Sequence, residues 1–211
     1  MKTLTLNKNW AIGSFVEVLE SIHQKEVNIA IYERDIQHLS SEIDPLLDEN
    51  IQVRSSGNPN TILEKIREET GLGNDALIVQ DIDNLLQHFK KISGSKSFRL
   101  LLAVVESNMC RRFHTDVNDI RMLCTYKGQG TLWLTEDNIN RKALDTGKEN
   151  ETIVIDENEI KQAKTGSVVL LKGAIYPKEE TKAIVHRSPT IEEYGEKRLL
   201  LRIDTNEFLN F

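Results

Sequence analysis

The sequence predicts an α+β fold, with N-terminal helices packed on one sheet of a C-terminal jelly roll. Two observations predict it. Apolar residues recur at helical spacing up to about Ser93, then change to short, nearly continuous runs. From Phe98 onward eight such runs follow, separated by turn residues, and eight short antiparallel strands in two sheets is the jelly-roll count. The expected organisation is a mainly helical layer with one or two strands over residues 1–95 and a β domain over residues 96–211. The helices are expected to lie on the barrel instead of forming an independent unit.

The elements can be justified in order. Ser14 and Glu17 form a capping-box pattern ahead of Phe15, Val18, Leu19 and Ile22. The β-branched run 27–32 reads as a strand. Ile36, Leu39 and Ile43 suggest a helix, Asp44-Pro45 a fresh helical start, and 51–54 a second strand. Asn58-Pro59 opens a helix with Ile62 and Ile66 on its buried face, and Gly71 stops it. Asn74 is the expected cap of the next, whose stripe is Ile78, Ile82, Leu85, Phe89 and Ile92, ending at Gly94. His88, beside that stripe, is given no ligand role. The β runs are 98–106, 111–114, 122–126, 131–134, 152–155, 168–171, 183–186 and 199–203.

The chain has 211 residues, 39% hydrophobic and 28% charged, enough for one substantial core in a soluble globular mix. Its net charge of −6 leaves no electrostatic footprint for nucleic acid or an anionic membrane. The N-terminus lacks the apolar stretch of a signal peptide, and no run approaches membrane-spanning length. Two cysteines, Cys110 and Cys124, are too few for a disulfide scaffold, so a cytoplasmic protein with reduced thiols is expected.

The chemistry concentrates in Cys-Arg-Arg-Phe-His-Thr-Asp at 110–116 and His-Arg-Ser-Pro at 186–189. His114 and Asp116 are two apart, so on an extended strand both point to one face and can converge on one ion. With His186 they make two imidazoles and one carboxylate, the facial set that holds non-haem Fe(II) and leaves the opposite positions open. The same donors also suit Mn, Ni, Co or Zn. A surface His-Asp pair and a loop histidine before proline are the plain alternative. Arg198 and Arg202, twelve and sixteen residues after His186, share one strand face, while Leu199, Leu201 and Ile203 share the other. A guanidinium pointing into a barrel needs an anion, and its fork matches a carboxylate. Solvent exposure of that face is the competing reading. Thr125 and Tyr126 could donate to the same anion, or could serve only as sheet formers. Cys110 could be a fourth ligand or a redox-sensitive thiol and Trp133 could line the pocket, but both, with Cys124, are more simply read as packing residues. Lys172 and Arg187 lie near the site in sequence and could attract an acidic substrate.

In order along the strands, this pattern resembles the Fe(II)- and 2-oxoglutarate-dependent oxygenases. The resemblance covers the C-terminal half and rests on motif order. It implies a double-stranded β-helix, cupin-like in form, with His114 and Asp116 after the second strand and His186 on the seventh as iron ligands. It also implies a basic residue on the eighth strand, Arg198 or Arg202, pairing with the far carboxylate of 2-oxoglutarate; Arg198 is favoured because it is nearer the strand's start. The whole chain is also similar to an uncharacterised bacterial family. That similarity rests on Cys-x-x-Phe-His-x-Asp at 110–116, Leu-Cys-Thr-Tyr-x-Gly-x-Gly-Thr-x-Trp-Leu at 123–134, Leu-Leu-Lys-Gly at 170–173 and His-Arg-Ser-Pro at 186–189.

Three functions follow as expectations. The first is an oxygenase that uses Fe(II) and 2-oxoglutarate to hydroxylate a C–H bond of a small molecule or peptide. The second is a cupin-like metalloenzyme without that cosubstrate. The third is a non-catalytic metal-binding protein in metal homeostasis. The sequence names neither the substrate nor the oligomeric state.

Overall fold

The computed structural model describes residues 4–6, 9–177 and 180–206. The fold is α+β and contains two sheets. The N-terminal part supplies strands β1 (Leu4–Leu6), β2 (Trp10–Gly13), β3 (Ile29–Tyr32) and β4 (Gln52–Gly57), with helices α1 (Ser40–Asp48), α2 (Pro59–Thr70) and α3 (Leu77–Ser93). Then come β5 (Phe98–Val105), β6 (Ile120–Lys127), β7 (Leu132–Trp133), α4 (Arg141–Asp145), α5 (Asn150–Ile153), β8 (Lys161–Gln162), β9 (Val168–Lys172), β10 (His186–Arg187) and β11 (Arg198–Thr205). The large sheet has the order β1-β2-β3-β9-β6-β11-β5-β4, and the small sheet the order β10-β7-β8. The central strands β5, β6, β9 and β11 pair antiparallel.

The residues before 95 give four strands where one or two were expected. β4 pairs along β5, and β3 along β9, so the large sheet runs continuously across the 95/96 division. Strands of so few residues carry a weak pattern in isolation and are stabilised by the neighbour they pair with. Residues 16–23 form a 3-10 helix instead of a capped α-helix, and Phe15 at its start has no side-chain cap. Pro45 lies inside α1 and does not open a helix. Asn58 caps α2 as expected, accepting from the Thr61 amide at 3.1 Å, and Gly71 closes it at φ 68°. α3 is capped from elsewhere: the Glu42 carboxylate accepts from the amides of Leu77 (3.0 Å) and Ile78 (2.8 Å), in place of the expected Asn74.

Three apolar cores order the layers. The main one lies between the helices and the large sheet, filled by Ile78, Leu85 and Phe89 from α3, Met122, Cys124 and Tyr126 from β6, and Leu199, Leu201 and Ile203 from β11. A second lies between the sheets and includes Leu123, Trp133, Leu171 and Leu200. A third, with Phe113, Leu134, Ile153 and Val185, backs the small sheet. Successive strand residues alternate between faces. Arg121, Leu123 and Thr125 on β6 therefore share the inner, sheet-to-sheet face with Arg198, Leu200, Arg202 and Asp204 on β11.

Two glycines of the 123–134 motif allow close chain crossings. At Gly128 (φ 83°) a Cβ would press on the Lys197 carbonyl and lie 2.9 Å from Arg198 Cγ. A Cβ on Gly130 would overlap the carbonyl of Ala163, where β7 meets β8. Among the described residues no helix is long and apolar enough to cross a membrane.

Candidate metal centre and buried arginine

His114 and His186 meet through the backbone. Each donates its amide to the other's carbonyl at 3.0 Å, a single antiparallel bridge outside the longer strands. Opposed residues in such a pair carry their side chains on one face, and the two rings lie 4.7 Å apart, centroid to centroid. The expected strand at 111–114 shrinks to this bridge because Asn150 takes the place of a strand partner. Its side chain accepts from the Phe113 amide at 2.8 Å and donates to the Arg111 carbonyl at 2.9 Å. Asn150 begins α5, where the run 152–155 had suggested a strand; only Val154 bridges, to Ile139. Phe113, buried in the third core, anchors the segment from behind.

Asp116 completes the cluster. Its carboxylate lies 3.7 Å from His114 Nε2 and 3.3 Å from His186 Nε2. One ligand atom from each of the three residues falls within 4.8 Å of the others. Donors about 2.1 Å from one ion and at right angles would stand roughly 3 Å apart, so a small inward shift suffices for coordination. In each ring Nδ1 faces a backbone carbonyl, that of Arg112 at 2.9 Å for His114 and of Ile184 at 3.4 Å for His186. A carbonyl only accepts, so Nδ1 carries a proton in both rings; Nε2 donates to the Asp116 carboxylate while it is protonated and offers its lone pair to an ion once that proton leaves.

The carboxylate is held by a residue that sequence reasoning passed over. Arg121 donates to Asp116 from Nη1 and to Asp204 from Nε at 2.6 Å. Asn118 also donates to Asp204, at 3.3 Å. Burial favours the neutral acid, but hydrogen bonds from both histidines and the Arg121 charge outweigh it and hold Asp116 well below the usual carboxylate range. The Asp116 hydrogen bond in turn raises His114, against the opposing effect of burial. Arg121 could have been recognised by parity, since it shares the strand face of Leu123 and Thr125.

Further along the same inner face lies Arg198. It is 1% exposed. Nη2 donates to Thr125 Oγ1 at 3.1 Å, and Nε is buried without an acceptor. Among the described residues no carboxylate pairs with it, and burial pulls it down to about 10. The four-residue step from Arg121 to Thr125 spans roughly 13 Å of strand, which separates Arg198 from the triad along the sheet. Arg202, one pleat nearer the triad, is a third exposed and leans on Asp204 at 3.3 Å.

The other expected residues go elsewhere. Tyr126 points to the helix layer, where its hydroxyl donates to Asp81 at 2.6 Å, and Arg34 grips the same carboxylate through both nitrogens at 2.5 and 2.8 Å. Thr125, its neighbour, takes the inner face instead. Cys124 also faces the helices, and Cys110 is exposed and outside the metal cluster. Lys172 is buried on the helix side, donating to the Gln24 carbonyl at 2.6 Å. Arg187 stacks over Phe113, 5.1 Å from the ring centroid.

No curated protein matches the chain. Solved structures resemble it at low identity. The dioxygenase for auxin oxidation 1 from Arabidopsis thaliana, in its 2-oxoglutarate complex, is 9% identical with TM-score 0.49, over 90% of this chain and 86% of that one. A Pseudomonas putida prolyl-4-hydroxylase is 11% identical with TM-score 0.49, over 90% and 93%. The Fe(II)/α-ketoglutarate-dependent dioxygenase TqaL is 12% identical with TM-score 0.48, over 90% and 86%. The family model described as Protein of unknown function (DUF1826) matches residues 13–204, and the chain belongs to that family.

Proposed function

We propose that the two sheets form a double-stranded β-helix and that the protein is an Fe(II)- and 2-oxoglutarate-dependent oxygenase. The observation that carries this reading is Arg198, a buried guanidinium with no acid partner among the described residues. An uncompensated buried cation costs stability. A protein that only bound metal would have no use for one on the face it shares with the triad's carboxylate clamp. A dicarboxylate that chelates the metal at one end and meets Arg198 at the other gives both features a role.

The donor set fits the metal. Two neutral imidazoles with Nε2 free and one ionised carboxylate suit a divalent first-row ion and leave one side of its coordination sphere for other ligands. His114, Asp116 and His186 would hold the ion. Arg121 fixes the Asp116 carboxylate through its second bond to Asp204. Arg198, with the Thr125 hydroxyl beside it, would take the far carboxylate of 2-oxoglutarate by charge-assisted hydrogen bonds. Arg202 is the weaker candidate because Asp204 already attracts it, and Tyr126 is left out because it faces the helices. When bound together, iron and 2-oxoglutarate would use dioxygen to hydroxylate a C–H bond, 2-oxoglutarate being oxidised to succinate and carbon dioxide. Leu123, Leu200 and Trp133 line the space between the sheets and would keep water from it.

The test is aerobic turnover of 2-oxoglutarate to succinate with added Fe(II), alongside anaerobic Fe(II) binding. Wild type should form succinate, and His114→Ala should lose both turnover and stoichiometric iron binding. Iron binding that survives His114→Ala, or iron binding by wild type without any succinate, would remove the oxygenase reading.

A further inference from the structure

Beyond the small sheet the inner face of the large sheet continues to its β4 edge, and apart from Leu101 the residues there are polar or charged. Two cross-strand rows read Arg54, Leu101, Arg202 and then Ser56, Arg99, Asp204. The second row continues to Arg121, which grips the metal-site carboxylate. Arg54, Ser56, Arg99 and Arg202 line one cleft of about 330 Å³. Arg54 and Arg99 have no acid partner among the described residues, Arg99 Nε is buried without an acceptor, and Arg202 Nε only leans on Asp204 at 3.3 Å. The nearest carboxylate, Asp204, is already engaged by Arg121. Four guanidinium groups, those of Arg54, Arg99, Arg121 and Arg202, thus face two carboxylates, Asp204 and Asp116, an excess of two positive charges before any metal is counted.

We propose that this cleft is the substrate-recognition site and that it takes a small molecule bearing a phosphate group; the assignment rests on reading the triad as an oxygenase centre. Planar guanidinium forks meet phosphate oxygens in pairs, and a serine hydroxyl adds a donor. Adjacent strands are about 4.8 Å apart, so a phosphate beside Arg99 stands roughly 10 Å from Arg121, two strands away, and from the carboxylate it holds. A small metabolite spans that gap, leaving a C–H bond at the metal while its phosphate stays on the arginines. The volume sits at the small end of ligand pockets. A long polyanion is disfavoured because the chain as a whole carries −6.

The experiment is calorimetric titration of metal-free protein with inorganic phosphate, with glycerol 3-phosphate, and with glycerol and acetate as comparisons, at low ionic strength. Phosphate and glycerol 3-phosphate should bind saturably, one per chain, and glycerol should not bind. Arg99→Gln and Arg54→Gln should each weaken binding at least tenfold, Arg99→Lys should restore part of it, and Lys148→Gln, at an exposed distant position, should change nothing. Absence of saturable phosphate binding to wild type would overturn the proposal. So would tighter binding of acetate, twofold or smaller losses in both glutamine variants, or one-for-one displacement of phosphate by 2-oxoglutarate. Phosphate binding to a protein that makes no succinate would remove the oxygenase reading and keep the anion site. Succinate formation without phosphate binding would do the reverse.

Discussion

Arg198 is the residue on which the account turns, and it makes an unusual demand. A buried cation without an acid partner destabilises the fold, so Arg198→Met should raise the stability of ligand-free protein by an amount on the order of 1–3 kcal/mol while strongly weakening 2-oxoglutarate binding. Thermal melts with and without the cosubstrate would show both effects; a destabilised variant would mean that Arg198 already has a structural partner. Tyr126→Phe should do the opposite. It loses the bond to Asp81 beside Arg34, costs about 1–2 kcal/mol, and leaves 2-oxoglutarate affinity unchanged. That His114, Asp116 and His186 would come together was legible in the sequence because two residues with a two-residue spacing and one distant histidine suffice to describe the cluster. The choice between Thr125 and Tyr126 was not. β6 is buried on both faces, so its alternation is hidden in a nearly continuous apolar run, and a register shift between Leu199 and Leu200 obscures the pairing that would settle parity.

The elements that place the triad are short and depend on side chains far away in sequence. Asn150 stands in for a strand beside residues 111–113, so Asn150→Ala should loosen His114 and weaken Fe(II) binding roughly tenfold, as lost support around a ligand does. A metal titration showing wild-type affinity would contradict that role. α3 was readable from its stripe and from Gly94, yet its cap was not, because Glu42 reaches it from another helix. A local pattern such as Asn74 is visible in sequence, whereas a carboxylate brought by tertiary packing is not. The strands β7, β8 and β10 have two residues each. They carry too little periodicity to be bounded from sequence: β7 falls within the expected run 131–134 and β10 overlaps the end of the run 183–186, whereas β8 falls in none of the expected runs.

Across the whole molecule the helix layer covers the thiol of Cys124, and that of Cys110 stands exposed between β5 and β6. Native protein should react with a thiol reagent at Cys110 alone, and at Cys124 only after unfolding. Burial pushes the Cys124 thiol up to about 11. An unfolded thiol ionises near ~8.5, so between these values the folded state holds the extra proton. That contribution is complete below the unfolded value and is lost as pH rises through the folded one. Denaturant midpoints should therefore fall from pH 8 to pH 11, and less steeply in Cys124→Ala; equal slopes would contradict the assignment. The change from helical spacing to short apolar runs near Ser97 was visible in the sequence, but not that one sheet runs across it, since pairing of β4 with β5 and β3 with β9 leaves no local mark. That shared sheet carries the carboxylate clamp and Arg198 on one face, and the central claim is that they serve one cosubstrate. Anaerobic titration of the Fe(II)-loaded protein with 2-oxoglutarate, followed through the visible charge-transfer band of the chelate, tests it most directly. The band should saturate at one equivalent in wild type and need far higher 2-oxoglutarate in Arg198→Met, with iron binding retained in both. Iron binding without a band, or a band unchanged by Arg198→Met, would contradict it.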